Sequence, residues 1–395
     1  MLPATLDTSG SVGGVSRADA DAGAHGYLSN RMTSMIPTLI SAYAPGRVEL
    51  LGNHTDYNEG LVLAAAIDRG LTVSGTARAD GVIAFSSASL GLRVEVPLLE
   101  VKRLSGDAAW ANYALGVVRE FLNAGIALSG FDAEISGELP AGCGLSSSAA
   151  FEVATAFFLL KLHGIEMPRV EVARLCRRAE NNFVGVPSGL LDQATSVFGR
   201  AAHVVALDCR SEEIRTLPFP ENLRLVIAES GVKHSLVAGE YRARREQCRA
   251  AAAALGVSAL RDATSAQLAA ANLEPVLHRR AAHVIGEIER VALAAELLAA
   301  GDGAGFGVLM NESHESSRTL FENSTPELDM LAEIARSLPG VLGSRLTGGG
   351  FGGGTVTLVS ATHADAVAHE LPRLYADRSS LRGQAFVCRI ADGAG

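Results

Sequence analysis

Four short segments of this chain combine residue types and spacings that suit chemistry. The first is Pro140 to Ala150, where glycines at 142 and 144 precede three consecutive serines and then an apolar, helix-like run, Phe151 to Leu162. Glycine lets a backbone turn tightly and come close to a ligand. A helix start offers unpaired N–H groups and partial positive charge, which together favour an anion, phosphate above all. The segment lacks the Gly-Lys-Ser/Thr of a Walker A loop. It is also a poor dinucleotide fingerprint, because Ser147 stands where a third Gly or Ala belongs. A capped helix start packed with small residues is the alternative.

The second segment, Ala44 to Gly60, sets Asn53, His54, Asp56 and Asn58 between apolar runs. Short polar side chains so placed suit a loop that gathers a polyhydroxylated ligand, although a turn rich in Asn and Asp would look similar. The third, Val184 to Gln193, places Asp192 after two glycines and a proline among apolar neighbours. A carboxylate in such surroundings needs a partner or a task, which makes Asp192 a candidate base or orienting group, with a helix cap as the alternative. The fourth, Ser344 to Gly354, has six glycines in its last seven residues and leads into a β-rich run. It reads as a backbone that approaches a ligand, or as a mobile turn.

The elements that must position these segments are mixed. β-rich runs occur at Leu71–Thr76, Val82–Ser86, Leu92–Val96, Ala202–Ala206, Leu223–Ala228 and Gly354–Val359. Helical periodicity is clearest over Trp110–Leu122, Val170–Phe183, Glu240–Leu255, Ala282–Ala299 and Leu331–Ser337. Without strict alternation of strand and helix, the pattern predicts an α+β fold rather than a doubly wound sheet. A length of 395 residues suggests two lobes. The charged stretch Asp208–Glu213 and the prolines at 218 and 220 suggest a boundary near 200–220. Residues 1–35 lack periodicity and are expected to form a mobile tail, leaving an N-terminal lobe over 36–208 and a C-terminal lobe over 209–395.

Composition narrows the function. Hydrophobic residues make up 48% and charged residues 19%, enough for a large core. A net charge of −9 argues against a nucleic-acid or anionic-membrane surface. Five cysteines (143, 176, 209, 248 and 388), with no CxxC pair, argue against a disulfide framework or zinc site and favour a reducing compartment, hence the cytoplasm. No apolar run is long enough to span a bilayer, and the N-terminus lacks the pattern of a secretory signal.

In order and spacing, Arg47 to Gly60, Pro140 to Ala150 and Thr347 to Gly353 resemble the three motifs of the GHMP kinases, and specifically of their galactokinase branch. The resemblance extends to Trp110–Tyr113, Asp208–Ser211, Val232–Leu236, Tyr241–Cys248, Glu312–His314 and Pro326–Asp329, and spans about residues 42–391. It implies a two-lobed fold with the active site in the cleft, and transfer of the γ-phosphoryl of ATP to the anomeric hydroxyl of galactose.

By that resemblance Asp192 accepts or orients the sugar proton, and Arg47 stands beside it and the γ-phosphate. Arg47, Asn53, His54, Asp56, Gly189, Asp192 and Tyr241 hold the sugar. Gly142, Gly144, Ser146, Ser147 and Ser148 cradle the phosphates, Lys233 adds positive potential, and Trp110 and Tyr113 flank the adenine. Ser148 and Glu180 hold Mg2+, for which an ion pair of Glu180 with Arg177 is the alternative. The partners implied are a sugar and ATP, with a monomer as the expected state. One departure stands out: Asn53 replaces the glutamate usual in the branch. It raises the prospect of a sugar altered at C6, a uronic acid or a 6-deoxy sugar. A non-catalytic sugar sensor would shorten the serine-alanine stretch, which is intact here. Cys143, near a helix start, is a candidate oxidation-sensitive thiol.

Overall fold

The strand that carries the start of the polar signature, β1 (Ile40–Leu51), runs antiparallel to the 18-residue β2 (Leu61–Arg78). These lie in the computed structural model, which describes residues 38–140, 144–232 and 237–395. With β3 (Val82–Ser87), β4 (Leu92–Pro97), β5 (Gly130–Gly137), β6 (His203–Asp208) and β7 (Glu213–Pro218), they form a seven-stranded sheet. Its order is β4-β3-β5-β2-β6-β7, with β1 also paired to β2. Only β3 and β5 run parallel. Helices α1 (Asn112–Asn123), α2 (Ser147–His163), α3 (Arg169–Arg178) and α4 (Leu191–Phe198) cover this sheet.

A second sheet, wholly antiparallel, has four strands in the order β11-β8-β10-β9, where β8 is Leu223–Glu229, β9 Val341–Thr347, β10 Gly354–Ser360 and β11 Ala385–Cys388. Around it lie α5 (Val237–Leu255), α6 (Ser265–Ala270), α7 (Pro275–Ala299), α8 (Gly303–Ser316), α9 (Pro326–Ser337) and α10 (Ala364–Ser379). Antiparallel pairing and separate helical layers make the fold α+β, as the pattern of runs predicted.

Two cores meet at β1 and β2. On one side Phe85, Phe131 and Phe158 pack with the apolar faces of α1 to α3. On the other, Val48, Leu50, Leu63 and Ile67 pack with Leu225, Ile227, Phe306 and Val356 of the second sheet and α8. Side chains alternate along a strand, so Val48 and Leu50 commit Arg47 and Glu49 to the opposite face. Register shifts between Pro45 and Arg47 and between Glu49 and Leu51 bracket these two residues. Such irregularities bend a strand and re-aim its side chains.

The helix after the glycine-serine loop starts at Ser147 and stops where Gly164 adopts a left-handed conformation, φ 62°. The single helix expected over Val170–Phe183 is instead α3 followed by a π-helical turn, Ala179–Val184. That wider turn places Glu180 inside, with only 5% of its surface exposed. Among the described residues no helix is long and apolar enough to cross a membrane.

Candidate active site

Arg47 leaves β1 and meets Asp192, which lies in the first turn of α4. Its Nε and Nη2 both approach Asp192 Oδ1, at 2.7 and 2.6 Å. Its Nη1 donates to the carbonyl of Gly144 in the glycine-serine loop. The other oxygen, Asp192 Oδ2, accepts from Ser146 Oγ at 2.5 Å. Ser146 has φ 52°, an uncommon left-handed conformation outside glycine, and stands at the cap position of α2. Its hydroxyl is thus turned to Asp192.

The polar signature is a tight turn between β1 and β2 and is buried, not a solvent loop. His54 also has positive φ, 59°. Its Nδ1 accepts from Tyr57 Oη at 2.8 Å and its Nε2 donates to the Gly349 carbonyl at 2.9 Å, which assigns the proton to Nε2. Burial lowers its pKa to about 3, so the ring is neutral. The Asn53 amide donates to Glu49 Oε1 and to the Gly348 carbonyl, both at 2.8 Å, and its oxygen accepts from Asn323 Nδ2 at 2.8 Å. Asn53 and His54 therefore line the cavity with their polar atoms already engaged by protein. A part for both in holding the sugar remains a proposal. The same bonds leave His54 no free ring nitrogen for a metal.

Asp56 is half-buried. Burial, with repulsion from Asp192, raises its carboxyl to about 6. Gly189 makes room for it: a Cβ at 189 would lie 2.5 Å from Asp56 Oδ2. Tyr241, on α5, packs its ring 5.1 Å from His54 and 5.4 Å from Tyr57 between centroids. Arg47, Asn53, His54, Asp56, Gly189, Asp192 and Tyr241 all line one cavity of about 700 Å³. The glycine turn closes one side of it, and a Cβ at Gly348 would stand 3.3 Å from Gly144 Cα. Backbone thus packs on backbone where the turn meets the glycine-serine loop.

A second group lies behind Asp192. Glu180 Oε1 is 3.3 Å from Ser148 Oγ, and its Oε2 accepts from Gln193 Nε2 at 3.0 Å and from Ser188 Oγ. Gln193 also bridges to the fully buried Glu152 at 2.9 Å. Burial raises the Glu180 carboxyl, with Asp192 adding repulsion, and pushes that of Glu152 well above the usual range. Arg177 pairs with Glu212 at 3.0 Å, not with Glu180. Trp110 is partly buried and stacks on Phe151 at 6.1 Å with the rings 15° apart. Its Nε1 is buried without a partner among the described residues. Tyr113, partly buried, lies near enough to Glu180 and Glu152 for their charges to raise its pKa after burial has done so. Gly142, Cys143 and Lys233 lie outside the described residues.

Sequence reasoning missed Glu49, Arg345 and Glu287. Arg345, fully buried in β9, reaches Glu49 Oε1 at 3.3 Å. Glu287, on α7, accepts from the backbone N–H groups of Gly52 and Asn53 at 3.0 Å each. Nothing local in the sequence marks these residues, since each is recognisable only from its long-range partners.

Comparison with known proteins agrees with this geometry. Residues 34–77 match the galactokinase galactose-binding signature, 112–200 the GHMP kinases N-terminal domain and 294–377 the GHMP kinases C-terminal domain. The chain is 43% identical over 359 residues to a galactokinase of Roseiflexus sp. (strain RS-1), covering 89% of this chain and 91% of that protein. It is 42% identical over 364 residues to the galactokinase of Homo sapiens, covering 90% and 91%. Among solved structures, a Lactococcus lactis galactokinase complexed with galactose superposes with a TM-score of 0.86 at 32% identity, over 90% of this chain and 95% of that one. A Methanococcus jannaschii mevalonate kinase, 19% identical with a TM-score of 0.64 over 91% and 100%, shares the fold. The chain belongs to the GHMP kinase family, and within it to the galactokinases.

Proposed function

We propose that this protein transfers the γ-phosphoryl group of ATP to the anomeric hydroxyl of galactose, giving galactose 1-phosphate and ADP. The observation that carries the reading is the Arg47–Asp192 pair, set in the wall of the cavity that the galactose-binding signature lines. Phosphoryl transfer depends on positioning and on charge stabilisation more than on covalent work by the enzyme. Asp192 accepts or orients the proton of the attacking hydroxyl. The Arg47 guanidinium holds that carboxylate in place and offsets charge that develops on the transferring group. Asp56 and Tyr241 help to hold the sugar, and Gly189 leaves space for it beside Asp56.

The nucleotide phosphates take the loop at the start of α2, where Gly144, Ser147 and Ser148 offer backbone and hydroxyl donors. Gly142 and Lys233 belong to the same proposal, and Trp110 with Tyr113 is the proposed adenine side. The residues fit Mg2+. Ser148 Oγ and Glu180 Oε1 are hard oxygen donors 3.3 Å apart, and Glu180 is a buried carboxylate next to two more acids. Mg2+ commonly takes one or two protein carboxylates plus substrate phosphates. When bound, it would neutralise phosphate charge. The lobes are proposed as 36–208 and 209–395, although the first sheet continues past 208 through the β6–β7 hairpin to Pro218. A monomer working in the cytoplasm suits two small soluble substrates.

Release of ADP from ATP in the presence of galactose, glucose, galacturonate, fucose and arabinose tests the reading. Galactose is expected to support turnover well above the others. Turnover with none of the sugars would overturn it.

A further inference from the structure

Glu49 is a buried acid on the wall of the sugar cavity, and none of the roles above uses it. It shares a face of β1 with Arg47, two residues away. Its two oxygens differ. Oε1 accepts from Asn53 Nδ2 at 2.8 Å and is approached by Arg345 Nη1 and Nη2 at 3.3 Å each. Among the described residues no hydrogen bond reaches Oε2, and Oε2 is not one of the sealed side-chain atoms that lack a partner. A carboxylate oxygen with open space before it, on a cavity wall, is an acceptor for a ligand.

Asn53 has the opposite character. Both its amide hydrogens go to Glu49 and Gly348, and its oxygen takes Asn323 at 2.8 Å and Ser317 at 3.4 Å. It is 1% exposed. Nothing is left on Asn53 with which to distinguish one sugar from another. Its amide instead fixes the direction of the Glu49 carboxylate.

We infer that Glu49 is a specificity-determining residue, whose free carboxylate oxygen accepts a hydrogen bond from one hydroxyl of galactose, and that Asn53 is the positioning residue that aims it. The inference rests on the galactose kinase reading. Arg345, 0% exposed, supplies the countercharge and opposes the upward pull of burial on the Glu49 carboxyl. A site built to bond a hydroxyl rejects the analogue that lacks it, because its own polar group is left unpaired.

The test compares wild type with Glu49→Gln on galactose and on 2-, 3-, 4- and 6-deoxygalactose, reading kcat/KM. Glu49→Gln is expected to lose roughly 10- to 100-fold on galactose, and to lose no more than about threefold on one of the four deoxy sugars, the one without the hydroxyl that Glu49 reads. On the other three the loss should equal that on galactose. The KM for ATP should stay within about threefold. Equal losses on all five sugars would make Glu49 only the counter-ion of Arg345 and overturn the inference. Glu49→Asp, which keeps the charge and shortens the reach, is run on the same panel in case the glutamine variant is unstable. A loss confined to sugars carrying one hydroxyl supports the inference, and a uniform loss sinks it. Wild-type turnover of galactose, measured first, separates the two readings: without it the kinase reading fails, and with it only the Glu49 assignment is at stake.

Discussion

Arg47 and Asp192, 145 positions apart, meet with both Nε and Nη2 of the guanidinium on one carboxylate oxygen, Oδ1. The other oxygen is held by Ser146. The same arginine reaches the Gly144 carbonyl. One side chain therefore ties the strand of the sugar signature to the loop proposed for phosphate and to the helix that carries the acid. The residue that would face the transferring group also sets the geometry of the group that would orient the nucleophile.

Replacing Asp192 with asparagine keeps the shape and removes the charge. We expect kcat to fall about 100- to 10,000-fold, the range for loss of a positioned acid or base. The KM for ATP should change by no more than about threefold. Steady-state kinetics with ATP varied at saturating galactose checks this. Equal losses in kcat and in nucleotide affinity would argue that Asp192 only supports the loop.

Gly189 tests the space beside Asp56. A Cβ there would press on Asp56 Oδ2 at 2.5 Å, and the carboxylate is the mobile end of its side chain. Gly189→Ala should therefore cost little stability and instead swing Asp56 aside. The expected result is a KM for galactose raised about tenfold, a loss of about 1.4 kcal/mol in binding, with Tm nearly unchanged. A large fall in Tm without a change in KM would contradict it.

Asp56 also predicts a pH dependence. Its carboxyl titrates at about 6, raised by burial first and by Asp192 second. In the unfolded chain it titrates near 4. Between those values the folded protein binds the proton more tightly, so the unliganded protein loses stability as pH rises through that window. Galactose should prefer the ionised acceptor. Its KM is therefore expected to rise about tenfold as pH falls from 7 to 5, and to rise less in Asp56→Asn. A profile identical in the variant would assign the pH effect to another group.

Much of the site was legible because glycine and short polar residues are local signals. The glycines at 144, 189 and 348 mark close approaches to Thr347, Asp56 and the Gly144 backbone. The order of the motifs supplied the rest. What was not legible depends on contacts across the chain. Arg47 and Glu49 look like part of a loop signature, yet they lie on a strand whose other face is buried in the second core. The helix α8 carries three glycines over its first five residues, which hides its periodicity. Glu180 falls within the single helix expected over Val170–Phe183, and a π-helical turn there draws it inside instead. The substitution at Asn53 looked like a change in sugar choice. In the fold Asn53 is a spacer between Glu49 and the glycine turn, and a single-residue reading could not show that.

Glu287 gives the clearest stability prediction. It is fully buried on α7, and its Oε2 accepts from the N–H groups of Gly52 and Asn53 and from Ser313 Oγ. Its Oε1 takes Arg290 Nε at 2.7 Å. Arg290 and its neighbours hold the Glu287 carboxyl down at about 2 despite burial. This depressed value means that its contribution to stability is present at neutral pH and is lost as pH falls through the unfolded value of about 4 toward 2. Removing one partner of a buried pair leaves a charge uncompensated and costs about 3–5 kcal/mol. In Glu287→Ala the two backbone donors at the start of the signature turn also lose their acceptor. The expected outcome in urea unfolding is a stability loss of that size, together with a raised KM for galactose, because the turn that carries His54 and Asp56 is no longer anchored. Glu287→Gln, which keeps an acceptor for the turn but not the charge, should recover part of the KM while remaining destabilised. A glutamine variant as stable as wild type would show that the carboxylate charge is not what anchors the turn.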